Sequence, residues 1–165
     1  MSYQVKRTIT NILTGLIVLT AYCFYAFGRY QSGILAPDDL KSWAQIMLIF
    51  IGIGIVAAIV IQIVFHILLS IGIAIKENIK NGSCDDQEIE KTIKLEMIED
   101  EMDKLIELKS LRVGFVVAGI GFVASLIVLL LNYPAMVMLN LLFISFSLGS
   151  ILEGFTQLYY YKRGI

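Results

Sequence analysis

The residues best suited to chemistry in this sequence are polar side chains inside long apolar runs. Glu153 is the only acidic residue inside such a run, and His66 is the only histidine in the chain. Because a polar or charged group inside a bilayer costs free energy, such residues often mark functional sites. His66 precedes Lys76 by ten residues and Glu153 precedes Lys162 by nine, so we expect both at a similar depth. The predicted intramembrane polar network comprises Gln62, His66, Ser70, Ser150, Glu153 and Gln157.

Two interpretations of this network stay open from the sequence. In the first, Glu153 and His66 approach each other, directly or through water, and serve proton-linked transport or ligand binding. In the second, both residues are structural. His66 then hydrogen-bonds a neighbouring carbonyl, and Glu153, about two turns from Tyr159, extends toward headgroup water.

Other catalytic, cofactor and metal signatures are missing from the sequence. There is no Ser/His/Asp set, phosphate-binding loop or H-E-x-x-H motif, and a single histidine cannot provide bis-histidine haem ligation. The acidic clusters at 85–86 and 99–103 lack the spacing and glycine of an EF-hand loop. Cys23 and Cys84 do not form a C-x-x-C motif. We therefore predict no catalytic residue, no cofactor and no metal ion, and we favour a non-enzymatic protein.

The composition indicates a membrane protein. Of 165 residues, 58% are hydrophobic and 16% are charged, against about 25% charged in soluble domains. Charge is concentrated between Lys76 and Arg112, which leaves apolar runs long enough to cross a bilayer. No basic patch is present, which argues against a nucleic-acid partner. We predict a single membrane domain, residues 1–165, whose spans cover about 9–27, 43–75, 113–131 and 135–157.

Basic residues set the predicted orientation. The N-terminal segment, the central segment and the C-terminal segment carry 2, 7 and 2 basic residues, and the other two connections carry 2 and 0. Cytoplasmic segments are enriched in Lys and Arg, so 11 against 2 places both termini in the cytoplasm. The sequence Asn132-Tyr133-Pro134 predicts a tight turn between the last two spans. The predicted fold class is all-α: an integral four-helix bundle of the cell membrane, built from two hairpins with N-in/C-in topology.

The only long hydrophilic stretch is residues 85–112. Ser83 and Asp85 are N-cap candidates, and apolar residues then recur at helical spacing. Because no helix breaker precedes the third span, we predict a cytoplasmic amphipathic helix over 85–112 that continues into that span. Its apolar stripe would face the end of the second span, a second copy of the chain or another protein. The predicted partner-facing stripe comprises Ile89, Ile93, Met97, Met102, Leu105 and Ile106.

Residues 98–115, IEDEMDKLIELKSLRVGF, resemble a pattern of small prokaryotic multi-span membrane proteins of the DUF2178 type. In that pattern an acidic cluster, an isoleucine and a lysine lead directly into a span. Met102 stands where that family usually has arginine. The resemblance implies a multi-span helical protein with a charged cytoplasmic helix before a span, and it implies no activity. The matching residues are Asp100, Glu101, Asp103, Ile106 and Lys109.

Function is predicted from the sequence only at the level of class. The first hypothesis is an oligomeric interaction or regulatory membrane protein that uses its cytoplasmic helix, because that helix carries an apolar stripe beside a charged flank. One alternative is a small proton-linked transporter or channel built on Glu153 and His66. Another is a lipid-binding module or a lipid-site enzyme. The expected partners are the lipid bilayer, a second copy of the chain and a cytoplasmic or membrane protein.

Overall fold

A computed structural model describes residues 3–81 and 100–164 of the chain. Over these residues the structure consists of four long α-helices and contains no strand. Each helix is long and apolar enough to cross a membrane, with mean hydropathies between 1.6 and 2.9. The prediction of an all-α protein with four potential spans is thereby confirmed. The helices are α1 (Tyr3–Gln31), α2 (Leu40–Asn81), α3 (Glu101–Leu130) and α4 (Ala135–Arg163).

Asp39 sets the start of α2. Its carboxylate accepts hydrogen bonds from the Ser42 backbone amide at 3.2 Å and from the Ser42 hydroxyl at 2.5 Å. The carboxylate thus satisfies an amide that has no partner inside the helix. The two bonds from Ser42 hold the pKa of the Asp39 carboxyl below its usual value. One turn into α2, the Trp43 indole Nε1 donates to the Ala36 carbonyl at 3.1 Å, which fastens the connection to the helix.

The predicted tight turn between the last two spans is confirmed. Asn132 has a positive φ of 61°. Its backbone amide donates to the Leu129 carbonyl at 3.1 Å, and the Tyr133 amide donates to the Val128 carbonyl at 3.3 Å. This is the Schellman arrangement, which satisfies the last free carbonyls of a helix. Pro134 then precedes the first residue of α4, so the chain reverses within four residues.

The start of α3 differs from the prediction. Asp100 is extended (φ −82°, ψ 174°) and caps a helix that begins at Glu101. The Asp100 carboxylate accepts from the Asp103 amide at 2.7 Å, and the Asp103 carboxylate accepts from the Asp100 amide at 3.2 Å. This reciprocal capping box ends the helix on its N-terminal side. The predicted unbroken helix over 85–112 is therefore wrong at Asp100. The part of that prediction that covers 85–99 lies outside the described residues.

The closest helix contact in the described structure is between α3 and α4. A Cβ atom added at Gly149 of α4 would lie 2.8 Å from the Gly114 carbonyl oxygen of α3. Small residues let helix backbones approach closely in a membrane, where packing rather than the hydrophobic effect drives association. Gly114, Ala118, Gly121 and Ser125 recur at helical spacing in the sequence, and in the structure this small-residue face continues toward the start of α3. Its buried residues are Ile106, Ser110, Gly114, Ala118, Gly121 and Ser125.

The remaining helices pack against each other and against α4. The first helix packs against both α2 and α4, and α2 makes a smaller contact with α4. Thr8 near the start of α1 bonds Gln157 near the end of α4, with 3.1 Å between their oxygens. We call this end of the molecule the terminal end. The opposite end, which carries the connections 32–39 and 131–134, is the loop end.

An aromatic core closes the loop end. Tyr22 is 1% exposed, and its hydroxyl donates to the Asn140 side-chain oxygen at 2.6 Å. The Tyr22 ring packs on Phe143 and Phe50, with ring centroids 4.2 and 5.4 Å away. This satisfied polar pair and its rings tie α1, α2 and α4 together. The buried members of the core are Tyr22, Ala26, Leu35, Trp43, Ile46 and Met47.

The α3–α4 contact predicts a sharp difference between two glycines of α3. A Cβ atom added at Gly121 would overlap the Ser145 side chain, whereas one added at Gly119 meets nothing within 4 Å. We expect Gly121→Ala to destabilise the protein by about 1–3 kcal/mol, because overpacking a tight contact forces the helices apart.

Gly119→Ala is the matched control. It should be neutral or should gain up to about 1 kcal/mol from helix propensity. Thermal unfolding of both variants in the same detergent checks the difference. Equal melting temperatures for the two variants would contradict the close approach of α3 and α4.

Candidate functional site

A cavity of about 410 Å³ lies between α1, α2 and α4. We call it the inner cavity. Its walls combine hydroxyl and amide groups with aliphatic and aromatic side chains, and among the described residues Glu153 is its only charged lining residue. The volume is in the range of small-molecule sites, about 300–1,000 Å³. Its polar lining residues are Thr8, Asn11, Thr14, Gln62, Ser147, Ser150, Glu153 and Gln157.

A smaller cavity of about 170 Å³ lies at the terminal end, between α1, α3 and α4. We call it the outer cavity. Every described residue that lines it carries a polar or charged group, and these groups include three carboxylates and one guanidinium. The lining residues are Gln4, Arg7, Thr8, Asn11, Asp103, Glu107, Glu153, Gln157 and Tyr161.

The two cavities share a wall. Thr8, Asn11, Glu153 and Gln157 line both of them. The Thr8 hydroxyl lies 2.9 Å from the Gln4 backbone carbonyl and 3.1 Å from the Gln157 side-chain oxygen, and it can donate its one proton to either. Gln157 Nε2 donates to Glu153 Oε1 at 3.5 Å. Thr8, Gln157 and Glu153 thus form a series of polar contacts from α1 to the carboxylate, and Glu153 lines both cavities.

Helix packing makes room for the Glu153 carboxylate. A Cβ atom at Gly114 of α3 would lie 3.1 Å from Glu153 Oε2, so the absent side chain leaves space for the carboxylate between α3 and α4. Glu153 lies six residues before Tyr159, which is about 9 Å along the helix. The carboxylate thus lies inward of the tyrosines at the end of α4.

Gln4 indicates that the outer cavity is wet. Its side chain is 8% exposed, and its Nε2 has no hydrogen-bond partner among the described residues. Buried polar groups are almost always satisfied, so we expect water in the outer cavity to accept a hydrogen bond from this amide. Water needs about 30 Å³ per molecule and several polar neighbours, and the outer cavity supplies both.

His66 lies away from this site. The Tyr3 hydroxyl is 3.1 Å from His66 Nε2 and 3.3 Å from Nδ1, and the two rings lie 5.7 Å apart. The Ser70 hydroxyl donates to the His66 backbone carbonyl at 2.9 Å. Within the described part of the chain, no hydrogen bond or ion pair joins His66 to Glu153. The residues of the predicted network that the structure brings to one cavity are Gln62, Ser150, Glu153 and Gln157.

The predicted partner-facing stripe is only partly described. Met102 and Leu105 are exposed, but Ile106 is 2% exposed inside the chain. Ile106 precedes Ser110 and Gly114 at intervals of four, so it shares the face of α3 that contacts α4. Assigning Ile106 to a partner surface was therefore wrong. The stripe residues outside the described part are Ile89, Ile93 and Met97.

A third cavity, at the loop end, is mainly apolar. It has a volume of about 680 Å³ and lies along α1 and α4, with Trp43 at one side. No histidine or carboxylate is among its lining residues, so it lacks an acid–base pair for a lipid-site enzyme. Its surface matches lipid chains, which surround every membrane span.

Sequence reasoning missed the contribution of α1 and the start of α3. Gln4, Thr8 and Asn11 recur at i, i+4 and i+7, which places them on one helix face. Asp103 and Glu107 repeat this spacing at the start of α3. These polar faces were the signal available in the sequence, but charged residues near a helix end ordinarily indicate solvent rather than a cavity.

No model of a known protein family, no curated protein and no solved structure matches this chain. The resemblance of residues 98–115 to the DUF2178 type therefore stays a prediction.

Water access to the site predicts a labelling difference between two neighbouring positions. Gln157 lines both cavities, whereas Phe155 is exposed on the outer surface of α4 and lines neither. In a chain whose own cysteines, Cys23 and Cys84, are replaced by serine, we expect Gln157→Cys to react with a polar thiol reagent. The reaction should be at least about tenfold faster than for Phe155→Cys, because a thiolate forms in water and not in lipid.

The comparison is made in liposomes, where the outer surface of α4 contacts lipid. A denatured sample of each variant provides the maximal rate. Equal rates in the folded state would contradict a water-filled path to Glu153.

Proposed function

We propose that this chain is a small membrane transport protein in which Glu153 binds a proton or another cation inside the bilayer. The observation that carries the proposal is the position of Glu153 in the shared wall of the inner and outer cavities. A carboxylate in this wall receives a cation from the polar outer cavity and presents it to the deeper inner cavity. Ionisable residues inside spans commonly mark such pathways.

The charges around Glu153 favour a cation over an anion. Asp103, Glu107 and Glu153 are three negative groups in the outer cavity and Arg7 is one positive group, which leaves a formal charge of −2. The inner cavity adds no basic residue. Because charge interactions strengthen as the dielectric constant falls, this balance acts most strongly on a cargo that has left bulk water.

The aromatic core supports a transporter rather than an open channel. Phe50 and Phe143 line the inner cavity, and both rings pack on Tyr22 toward the loop end. A path that is polar at one end and closed by packed rings at the other resembles one state of an alternating-access cycle, in which access changes around a fixed site.

The outer cavity would open to the cytoplasm. We propose that the four spans form a bundle in the cell membrane with both termini in the cytoplasm, as the excess of 11 over 2 basic residues predicts. The polar chain from Thr8 to Glu153 then lies on the cytoplasmic side. Labelling of the Gln157→Cys variant in vesicles of known orientation tests this arrangement.

Proton flux measures the proposed role of Glu153. We expect purified protein in liposomes to carry protons when a membrane potential is imposed, and Glu153→Gln to lower the rate at least about tenfold. The amide keeps the shape of the side chain but cannot take a charge at this step. A pH-sensitive dye inside the liposomes reports the rate.

Glu101→Gln is the matched control, because Glu101 is exposed in the first turn of α3 and lines neither cavity. His66→Ala is a second control, since His66 lies outside both cavities. Flux that is absent from the unmodified protein, or that persists in Glu153→Gln, would refute the proposed function.

A second candidate is self-association, and the geometry of α2 favours it. With 42 residues, α2 is about 63 Å long, roughly twice the thickness of a bilayer core. Its most apolar stretch has no buried residue within the chain, unlike those of the other three helices. We propose that a second copy covers this face and that the projecting end of α2 extends the contact, which would make the protein an oligomeric interaction module.

Native mass spectrometry from nanodiscs checks this candidate. We expect a dimer, and we expect it to weaken when Val56→Trp enlarges the exposed face of α2. Val116→Trp on the exposed side of α3 is the matched control. A monomer at every protein concentration would contradict self-association and would leave the transport proposal intact.

A further inference from the structure

The inner cavity changes character along its length. Toward the terminal end its lining side chains are mainly polar, with Ile12 and Ile151 among them, and toward the loop end, beyond Ser147, they are apolar. Small residues, including Gly15, Gly54 and Ala58, lie between the two parts and keep the cavity continuous. The polar part is formed by Thr8, Asn11, Gln62, Glu153 and Gln157. The apolar part is formed by Val18, Leu19, Phe50, Ile51 and Phe143.

The distance from the Glu153 carboxylate to the apolar end of the cavity restricts the kind of cargo that can bind. Glu153 and Phe143 are ten residues apart on α4, which is about 15 Å of helix. A bare inorganic cation would lose its hydration in the apolar part without gaining protein oxygens there, and such desolvation is costly. A wholly apolar molecule would leave the carboxylate and the amides of the polar part unpaired.

We propose that the cargo is an amphipathic organic cation, with one ammonium or guanidinium head and an alkyl or aryl tail. The head pairs with Glu153, and the tail extends toward Phe50 and Phe143. This proposal rests on the proposed transport function and names its substrate class. A carboxylate and a cationic donor form a charge-assisted hydrogen bond, which is stronger than a neutral one.

The surroundings of the head match a single positive charge. The amides of Asn11, Gln62 and Gln157 line the same part of the inner cavity and offer oxygens to the remaining N–H groups. The tail gains by leaving water for apolar walls, and an aryl tail meets the aromatic core. Each half of the cavity thus binds one half of the same molecule.

The cargo and a proton compete for one carboxylate. Affinity for the cation should fall as pH is lowered through the titration of Glu153, because the protonated carboxyl has no charge. Among the described residues, the other charged or titratable groups that line the outer cavity are Arg7 from α1, Asp103 and Glu107 from α3, and Tyr161 from α4. The polar residue that the described part of α2 contributes to the inner cavity is the neutral Gln62.

Ligand binding to the protein in nanodiscs tests whether the site prefers a cationic head group. The probes are 4-phenylbutylammonium, the neutral 4-phenylbutanol and the anionic 4-phenylbutyrate, each measured by isothermal titration calorimetry and corrected with empty nanodiscs. We expect the ammonium to bind at least tenfold more tightly than the alcohol, and the carboxylate not to bind. Glu153→Gln should remove the preference for the ammonium while binding of the alcohol is unchanged.

Substitution of two glycines on α2 tests whether the tail of the ligand occupies the apolar part of the inner cavity. Gly54 lines the inner cavity, and a Cβ atom there lies 3.7 Å from a Val18 methyl carbon, an ordinary van der Waals contact. We expect the rest of the side chain in Gly54→Leu to occupy the middle of the cavity. Gly52 has nothing within 4 Å of an added Cβ. We expect Gly54→Leu to weaken 4-phenylbutylammonium at least tenfold and Gly52→Leu to leave it unchanged.

The outcomes separate the two proposals. Equal binding of ammonium and alcohol, or equal affinities in the two glycine variants, would overturn the substrate class. If proton flux through Glu153 persists in that case, the transport function stands and only its cargo is wrong. Selective ammonium binding without any flux would support the site and refute transport. Loss of both would refute both proposals.

Discussion

The close approach of α3 and α4 at Gly114 and Gly149 is the contact on which the rest of the structure depends. A Cβ atom at Gly149 would lie 2.8 Å from the Gly114 carbonyl oxygen, so the two backbones touch without intervening side chains. The same gap at Gly114 accommodates the Glu153 carboxylate, which lies 3.1 Å from the position of a Cβ atom there. Gly114 therefore has two roles: it allows the close contact between α3 and α4, and it leaves room for the Glu153 carboxylate.

The polar groups of the spans divide into two kinds. Short hydroxyl side chains return to the backbone of their own helix, as Ser110 does to Ile106 at 2.6 Å and Ser145 to Leu141 at 2.7 Å. Such bonds satisfy the hydroxyl proton within the same helix. Longer side chains reach beyond their helix, and Glu153 and Gln157 are held at the wall between two cavities. Because polar groups must be satisfied in lipid, we assign Ser110 and Ser145 a structural role, whereas Glu153 and Gln157 belong to the candidate site.

Counting residues from a helix end predicts the depth of a side chain along the helix, but it does not predict the direction in which the side chain points around the helix axis. Glu153 and His66 were expected together because their distances from basic residues agreed. In the structure His66 contacts Tyr3, whereas Glu153 accepts a hydrogen bond from Gln157 of its own helix and lies against Gly114 of α3. The helix start at Glu101 shows a similar limit, since several acidic residues can serve as caps and only the fold selects Asp100.

The sequence by itself determined the four apolar helices, the tight turn before α4 and the small-residue face of α3. These features depend on hydrophobic length and local backbone chemistry, which are properties of neighbouring residues. Only the tertiary structure decided that Gln4, Thr8 and Glu107 share cavities with Glu153, and that His66 does not. The physical reason is that a cavity exists between helices: its lining depends on the rotation and the spacing of each helix, which are set by contacts such as that of Gly114 with Gly149 and are not encoded in any single segment.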